Sequence, residues 1–181
     1  MLTIFEGPRN SGKTFLVNEY SKMTGIPVFK YDFSEWFVGL NLSDSSNETH
    51  LFALGKESML HQLNRDGFLE KDFIVDRGMV TVLVWGILSK RITEEDAKYQ
   101  LELIAKMGLF KDCRIVHING ENPNISKREK DFWDFRDTES IEADLMENFR
   151  DILCNQPYNI ETHFITNTFD NRVLESLKAI I

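Results

Sequence analysis

Four residues near the start of the chain have types and spacing suited to holding phosphate. The stretch FEGPRNSGKTFL, Phe5 to Leu16, contains G-x-x-x-x-G-K-T, with Gly7, Gly12, Lys13 and Thr14 in the fixed places. Glycines let the backbone turn tightly and aim successive N–H groups at phosphate oxygens. A lysine here reaches the outer phosphates, and a Thr hydroxyl suits Mg²⁺. Gly7, Asn10, Ser11, Gly12, Lys13 and Thr14 are expected around the bound phosphates, with Lys13 in a solvent-facing loop. A helix should begin at the loop and add its positive end to the anion site.

A second candidate is Asp76, the last residue of the apolar run FIVD, followed by Arg77. A carboxylate beside the phosphate loop can orient Mg²⁺ or take a proton, so Thr14 and Asp76 are the metal candidates. Arg77 can stabilise charge on a transferring phosphoryl group. A third is the run Asn122 to Asp137, where Lys127, Arg128, Lys130 and Arg136 interleave with Phe132, Trp133 and Phe135. It reads either as a flap bringing cations over the phosphates or as a solvated helix start. A fourth is YDFSEWF, Tyr31 to Phe37. Asp32 and Glu35 can meet a sugar hydroxyl and Trp36 can stack on a base; an aromatic core at a strand–helix junction is the competing reading.

These residues need elements that place them together. Leu2, Ile4 and Phe5 read as a buried strand. Leu16, Tyr20 and Met23 follow at helical spacing, and Gly25 suits a stop. PVFKY, Pro27 to Tyr31, predicts a second strand, and Asn41 to Thr49 a polar loop. A helix is expected over Lys56 to Leu69, with Met59, Leu60 and Leu63 inward. FIVD is the third strand, and an apolar helix starts near Val80. Thr93 with Asp96 resembles a capping box for a helix carrying Ala97, Leu101 and Ile104, with Gly108 as its stop. CRIVHI, Cys113 to Ile118, is the fourth strand, with His117 a strand residue. Thr138 can cap a helix with Ile141, Leu145, Phe149 and Ile152 inward. THFIT, Thr162 to Thr166, is the fifth strand, and Leu174, Leu177 and Ile181 mark a last helix.

Alternating strands and helices predict one α/β domain over residues 1–181, a three-layer, open, mostly parallel sheet with helices on both faces. Ligands gather at the carboxyl ends of such strands. The chain has 181 residues, of which 42% are hydrophobic and 28% charged, ordinary values for a globular domain. Its longest apolar candidate, Met79 to Leu88, is too short to span a bilayer, so no membrane association is expected. Cys113 and Cys154 stand alone, with no metal or disulfide spacing, and a reduced, cytoplasmic setting is the default expectation. The net charge of −8 disfavours a protein that clamps long nucleic acid.

In this order the segments resemble thymidylate kinases and the related deoxynucleoside kinases. FEGPRNSGKT looks like their opening. An acidic and aromatic segment follows strand two, Asp-Arg follows strand three, and a basic lid, here 121–138, follows strand four. THFITNTFDNRVLESL is similar to their last strand, adenine-side loop and terminal helix. The resemblance implies ATP and Mg²⁺ as cofactors and a small nucleoside or nucleotide acceptor. It gives Lys13, Asp76, Arg77 and Arg128 catalytic roles, puts Asn167 and Thr168 near adenine, and sets Asp32, Glu35 and Trp36 against the acceptor. A homodimer is a form this family often takes. YDFSEW departs from the family pattern, as does Gly78 after Asp-Arg. Two alternatives therefore stand beside a free-nucleotide kinase: a kinase acting on a modified base in DNA, and a nucleotide-driven switch without turnover.

Overall fold

The computed structural model describes residues 1–29, 47–120, 139–155 and 157–180. Asp32, Glu35, Trp36, Arg128 and the whole expected lid lie outside these residues, as do Tyr31, Thr138 and Ile181.

Five parallel strands, β1 (Leu2–Glu6), β2 (Val28–Phe29), β3 (Phe73–Asp76), β4 (Cys113–Asn119) and β5 (Glu161–Thr166), lie in the order β2-β3-β1-β4-β5. Each neighbouring pair is parallel. β1 is buried along its whole length, as a central parallel strand covered on both faces must be. The side-chain period of two divides the strands between two cores. Phe5, Ile74, Val116, Ile118 and Ile165 meet Leu16, Val17 and Tyr20 of α1 (Lys13–Thr24) on one face. On the other face, Leu2, Ile4 and Val75 meet Leu60 of α2 (Asn47–Arg65). Ile115 on that face joins α3 (Met79–Leu88), α4 (Glu94–Lys106) and α5 (Glu139–Cys154). The last helix, α6 (Arg172–Lys178), adds Val173 and Leu177 to the α1 side.

Local signals place several ends as expected. Gly25 closes α1 in the left-handed conformation, its N–H on the Ser21 carbonyl. Thr93 caps α4 by accepting the Asp96 amide at 3.1 Å.

Three expectations change. α2 begins within the stretch expected to be loop and ends at Arg65, because Gly67 (φ 75°) turns the chain and the Phe68 amide closes on Leu63 at 2.9 Å. Met59 is 59% exposed. The inner face of α2 instead carries polar residues with partners. His61 Nδ1 pairs with the Leu109 carbonyl, and Asn64 donates to the carbonyls of Lys111 and Asp112. Ile141 is 49% exposed, whereas Glu142 is 1% exposed and occupies the inner stripe with Leu145, Met146, Phe149 and Leu153. Among the described residues no helix is long and apolar enough to cross a membrane.

Candidate active site

The chain leaves β1 through Gly7 (φ 138°), where a side chain would stand 2.1 Å from the Ile118 carbonyl oxygen of β4. Only glycine fits that approach. The loop ends at Gly12 (φ 81°), which starts α1. A Cβ there would meet Asn167 Nδ2 at 2.2 Å. The first turn of α1 carries no acidic residue, which leaves its positive end open to an anion.

Lys13 is buried rather than solvent-facing. Its ammonium donates to the Pro8 carbonyl at 2.5 Å and to Ser11 Oγ at 3.3 Å. Burial lowers its pKa to about 8, helped by the nearby Arg77 and opposed by Glu142, Glu6 and Asp76. A desolvated cation held on backbone oxygen within the loop is poised to exchange those contacts for phosphate.

Thr14 Oγ1 donates to Asp76 Oδ2 at 2.8 Å. The structure thus brings the two metal candidates together from α1 and β3. Asp76 Oδ1 is buried with no hydrogen-bond partner. A hydroxyl oxygen, a carboxylate and one unmatched carboxylate oxygen form a hard, all-oxygen donor set, which fits Mg²⁺. Arg77 follows in the left-handed conformation (φ 74°), with its amide on the Phe5 carbonyl at 3.0 Å and its side chain exposed. Such backbone costs an arginine about 1 kcal/mol, so something must hold the turn.

Glu6 does so. It stands at the end of β1, 2% exposed. Its carboxylate accepts the amides of Gly78 and Val80, both at 3.1 Å, and the hydroxyl of Thr81. An anion at the first turn of α3 meets unpaired N–H groups and the helix dipole. Burial nevertheless raises the Glu6 carboxyl above its ordinary pKa, against the lowering effects of Thr81, Lys13 and Gly78. A Cβ at Gly78 would lie 2.6 Å from Ile4 and 3.1 Å from Glu6 Oε1. That crowding explains why glycine follows Asp-Arg here.

Asn167 and Thr168 follow β5. Asn167 is buried, and its amide donates to the Ser11 carbonyl at 2.9 Å while its oxygen accepts the Phe169 amide at 2.9 Å. It braces the phosphate loop from below. Thr168 is exposed and donates to Asp170 at 2.7 Å. Asn10 sits at the loop's outer turn with φ 62°, and Ser11 is fully buried.

Glu6, Arg9, Thr81 and Glu142 were not sequence candidates for this site. Glu6 carried one visible sign, a charge closing a short strand with no other charged residue. Glu142 carried another, a carboxylate one turn ahead of Leu145 and Met146. His117 extends β4 as expected. It pairs in register with Glu6 and is buried with neither ring nitrogen bonded. An open cleft of about 500 Å³ between α4 and α5, lined by Glu102, Lys106, Asp151 and Tyr158 among others, contains none of the candidate residues.

No protein-family model matches this sequence, and no curated protein matches it. Solved structures do match. Deoxyadenosine kinase from M. mycoides is 16% identical over 99% of this chain and 96% of its own, with a TM-score of 0.58. Thymidylate kinase from Candida albicans is 20% identical over 99% and 90%, with a TM-score of 0.58. NadR protein, solved in complex with NR, is 14% identical over 99% of this chain with a TM-score of 0.62. This chain spans about half of that protein, 50% of its length. These likenesses establish the fold, that of the phosphate-loop nucleoside and nucleotide kinases.

Proposed function

We propose that this chain is an ATP- and Mg²⁺-dependent phosphotransferase whose acceptor is a free pyrimidine deoxynucleoside or its monophosphate. One observation carries the reading. Lys13 and Thr14 of α1 meet Asp76 and Arg77 from the end of β3 and its following turn, with Thr14 and Asp76 in direct contact. Phosphoryl transfer asks for positioning and charge stabilisation more than for covalent chemistry, and these groups supply both.

In this reading Lys13 holds the outer phosphates, and the loop amides and the end of α1 hold the rest. Thr14 and Asp76 would hold Mg²⁺, which when bound neutralises charge between the phosphates. Arg77, exposed at the lip, meets the transferring group or a 5′-phosphate. A carboxylate, Asp76 or Asp32, orients the acceptor hydroxyl and takes its proton. Arg128 adds charge from the segment after β4. Trp36 and Glu35 are assigned to the base and sugar from the sequence, and Asn167 and Thr168 to the adenine side. The deoxynucleoside preference draws on the resemblance to enzymes of that class, and the net charge of −8 offers no broad surface for a phosphate backbone.

A panel of nucleosides, monophosphates and oligonucleotides, ordinary and 5-hydroxymethylated, with labelled ATP at two salt concentrations tests this. Transfer to free nucleotides, little changed by salt, is expected. Transfer only to oligonucleotides, falling steeply with salt, would install a DNA-base kinase instead. ATP binding without acceptor-stimulated ADP release would identify a switch.

A further inference from the structure

We propose that Glu142 of α5 is a positioning residue for the phosphate loop, fixing Arg9 and with it the loop's outer half in the form that receives phosphate. The inference rests on the kinase reading above. One Glu142 oxygen accepts the backbone amide of Arg9 at 3.1 Å, and the other accepts Arg9 Nε at 2.8 Å. The glutamate side chain is 1% exposed and the arginine 22%. The Arg9 guanidinium also lies 5.4 Å from the centre of the Trp85 ring on α3. One loop residue is thus gripped through main chain and side chain by two helices that arrive from elsewhere in the sequence.

A buried ion pair is poor evidence for stability, since its desolvation commonly offsets its attraction. What distinguishes this pair is its location. Arg9 lies between Pro8, whose carbonyl receives the Lys13 ammonium, and Asn10, whose φ of 62° turns the loop. Holding the Arg9 amide therefore fixes both flanking features.

Glu142 also acts on Lys13 through space. The groups facing that ammonium are Arg77 from the turn after β3, Glu142 from α5, Glu6 from β1 and Asp76 from β3; His117 of β4 feels Lys13 as well. Arg77 disfavours the charged lysine, and the three carboxylates favour it. Glu142 has the largest effect of the three. Its removal should release the loop.

The test uses the full chain as wild type, Glu142→Gln, Arg9→Gln and the double variant. Binding of ATP and of inorganic tripolyphosphate is measured by calorimetry, and hydrogen exchange of the Arg9 amide is followed by NMR. Glu142→Gln keeps volume and one acceptor but lacks the charge. It should weaken both anions at least about tenfold and speed exchange of the Arg9 amide. The double variant should be within about twofold of the weaker single variant, because contacting residues are non-additive. A Glu142→Gln protein that melts lower, yet binds both anions normally and leaves exchange of the Arg9 amide unchanged, would make Glu142 structural and overturn the proposal. Wild type that binds tripolyphosphate but phosphorylates no acceptor would end the kinase reading, while the variants still decide the role of Glu142. Wild type that binds neither anion would overturn both.

Discussion

Thr14 Oγ1 and Asp76 Oδ2 stand 2.8 Å apart although 62 positions separate them in the chain. The contact exists because β1 and β3 are adjacent parallel strands, so the head of α1 and the end of β3 open on the same edge of the sheet. It joins the phosphate loop to the Asp-Arg turn and brings together the two residues proposed to hold Mg²⁺.

Asp76→Asn should reduce kcat by more than about tenfold, or about 1.4 kcal/mol of barrier, while ATP affinity changes far less. Asparagine keeps the volume and can still accept from Thr14, but it loses the charge needed for metal orientation or proton acceptance. Steady-state kinetics alongside direct ATP binding would show this. A smaller fall assigns the proton to another carboxylate, with Asp32 next in line.

Lys13 gives a pH signature. Burial, with Arg77 second, lowers its pKa to about 8. The charged form is the one that meets phosphate, so kcat/KM for ATP should fall as pH rises through about 8 in a profile that reports the free enzyme. Lys13→Ala should abolish transfer with a native circular dichroism spectrum. Turnover near that of wild type would remove the basis of the proposed function.

Asn167→Ala leaves the buried Ser11 carbonyl and the Phe169 amide without their side-chain partner. Each such loss costs about 1–3 kcal/mol when the group stays buried. Both a lower melting temperature and weaker ATP binding should follow, measured by thermal unfolding with and without nucleotide. Weakened stability with unchanged nucleotide affinity would show that the brace does not shape the loop.

Removing Glu6 acts through the Asp-Arg turn. Glu6→Ala strips the first turn of α3 of its acceptor, leaving the Gly78 and Val80 amides and the Thr81 hydroxyl unpaired. The expected loss is about 3–5 kcal/mol, on the scale of breaking a buried charged network. Urea unfolding reads this directly, and Thr81→Val should reproduce a fraction of it.

The buried histidines make the protein acid-sensitive. Burial lowers the pKa of His61 and of His117 to about 4, with Arg150 and Lys13 adding to the effect at His117. Both are neutral in the fold and protonate near 6.5 when unfolded. Below 6.5 the unfolded chain binds more protons, so stability is full above that pH and is lost as pH falls towards 4, by up to about 1.4 kcal/mol per pH unit for each histidine. His117→Leu removes two unbonded ring nitrogens. It should raise stability at pH 7 by about 1–3 kcal/mol and flatten the slope between pH 6.5 and 4. Urea titrations at a series of pH values would check both effects.

The sequence by itself determined the phosphate loop, the alternation of strands and helices, and the ends marked by Gly25 and by Thr93 with Asp96. Each depends on neighbours within a few residues, where backbone sterics, capping and periodicity act. It also placed Asp76 at a strand end, which in a parallel sheet is a place beside the loop. Only the tertiary structure decided which side chains meet there. Periodicity put Ile141 on the inner face of α5, but Arg9, reaching in from the loop, provides a partner that makes Glu142 the buried residue. Periodicity put Met59 inward on α2, but carbonyls of the 109–112 turn draw His61 and Asn64 inward instead. The Asn167 amide is turned under Ser11 by the adjacency of β4 and β5 to the loop. A buried polar group is selected by a partner far away in sequence, and no local pattern carries that information.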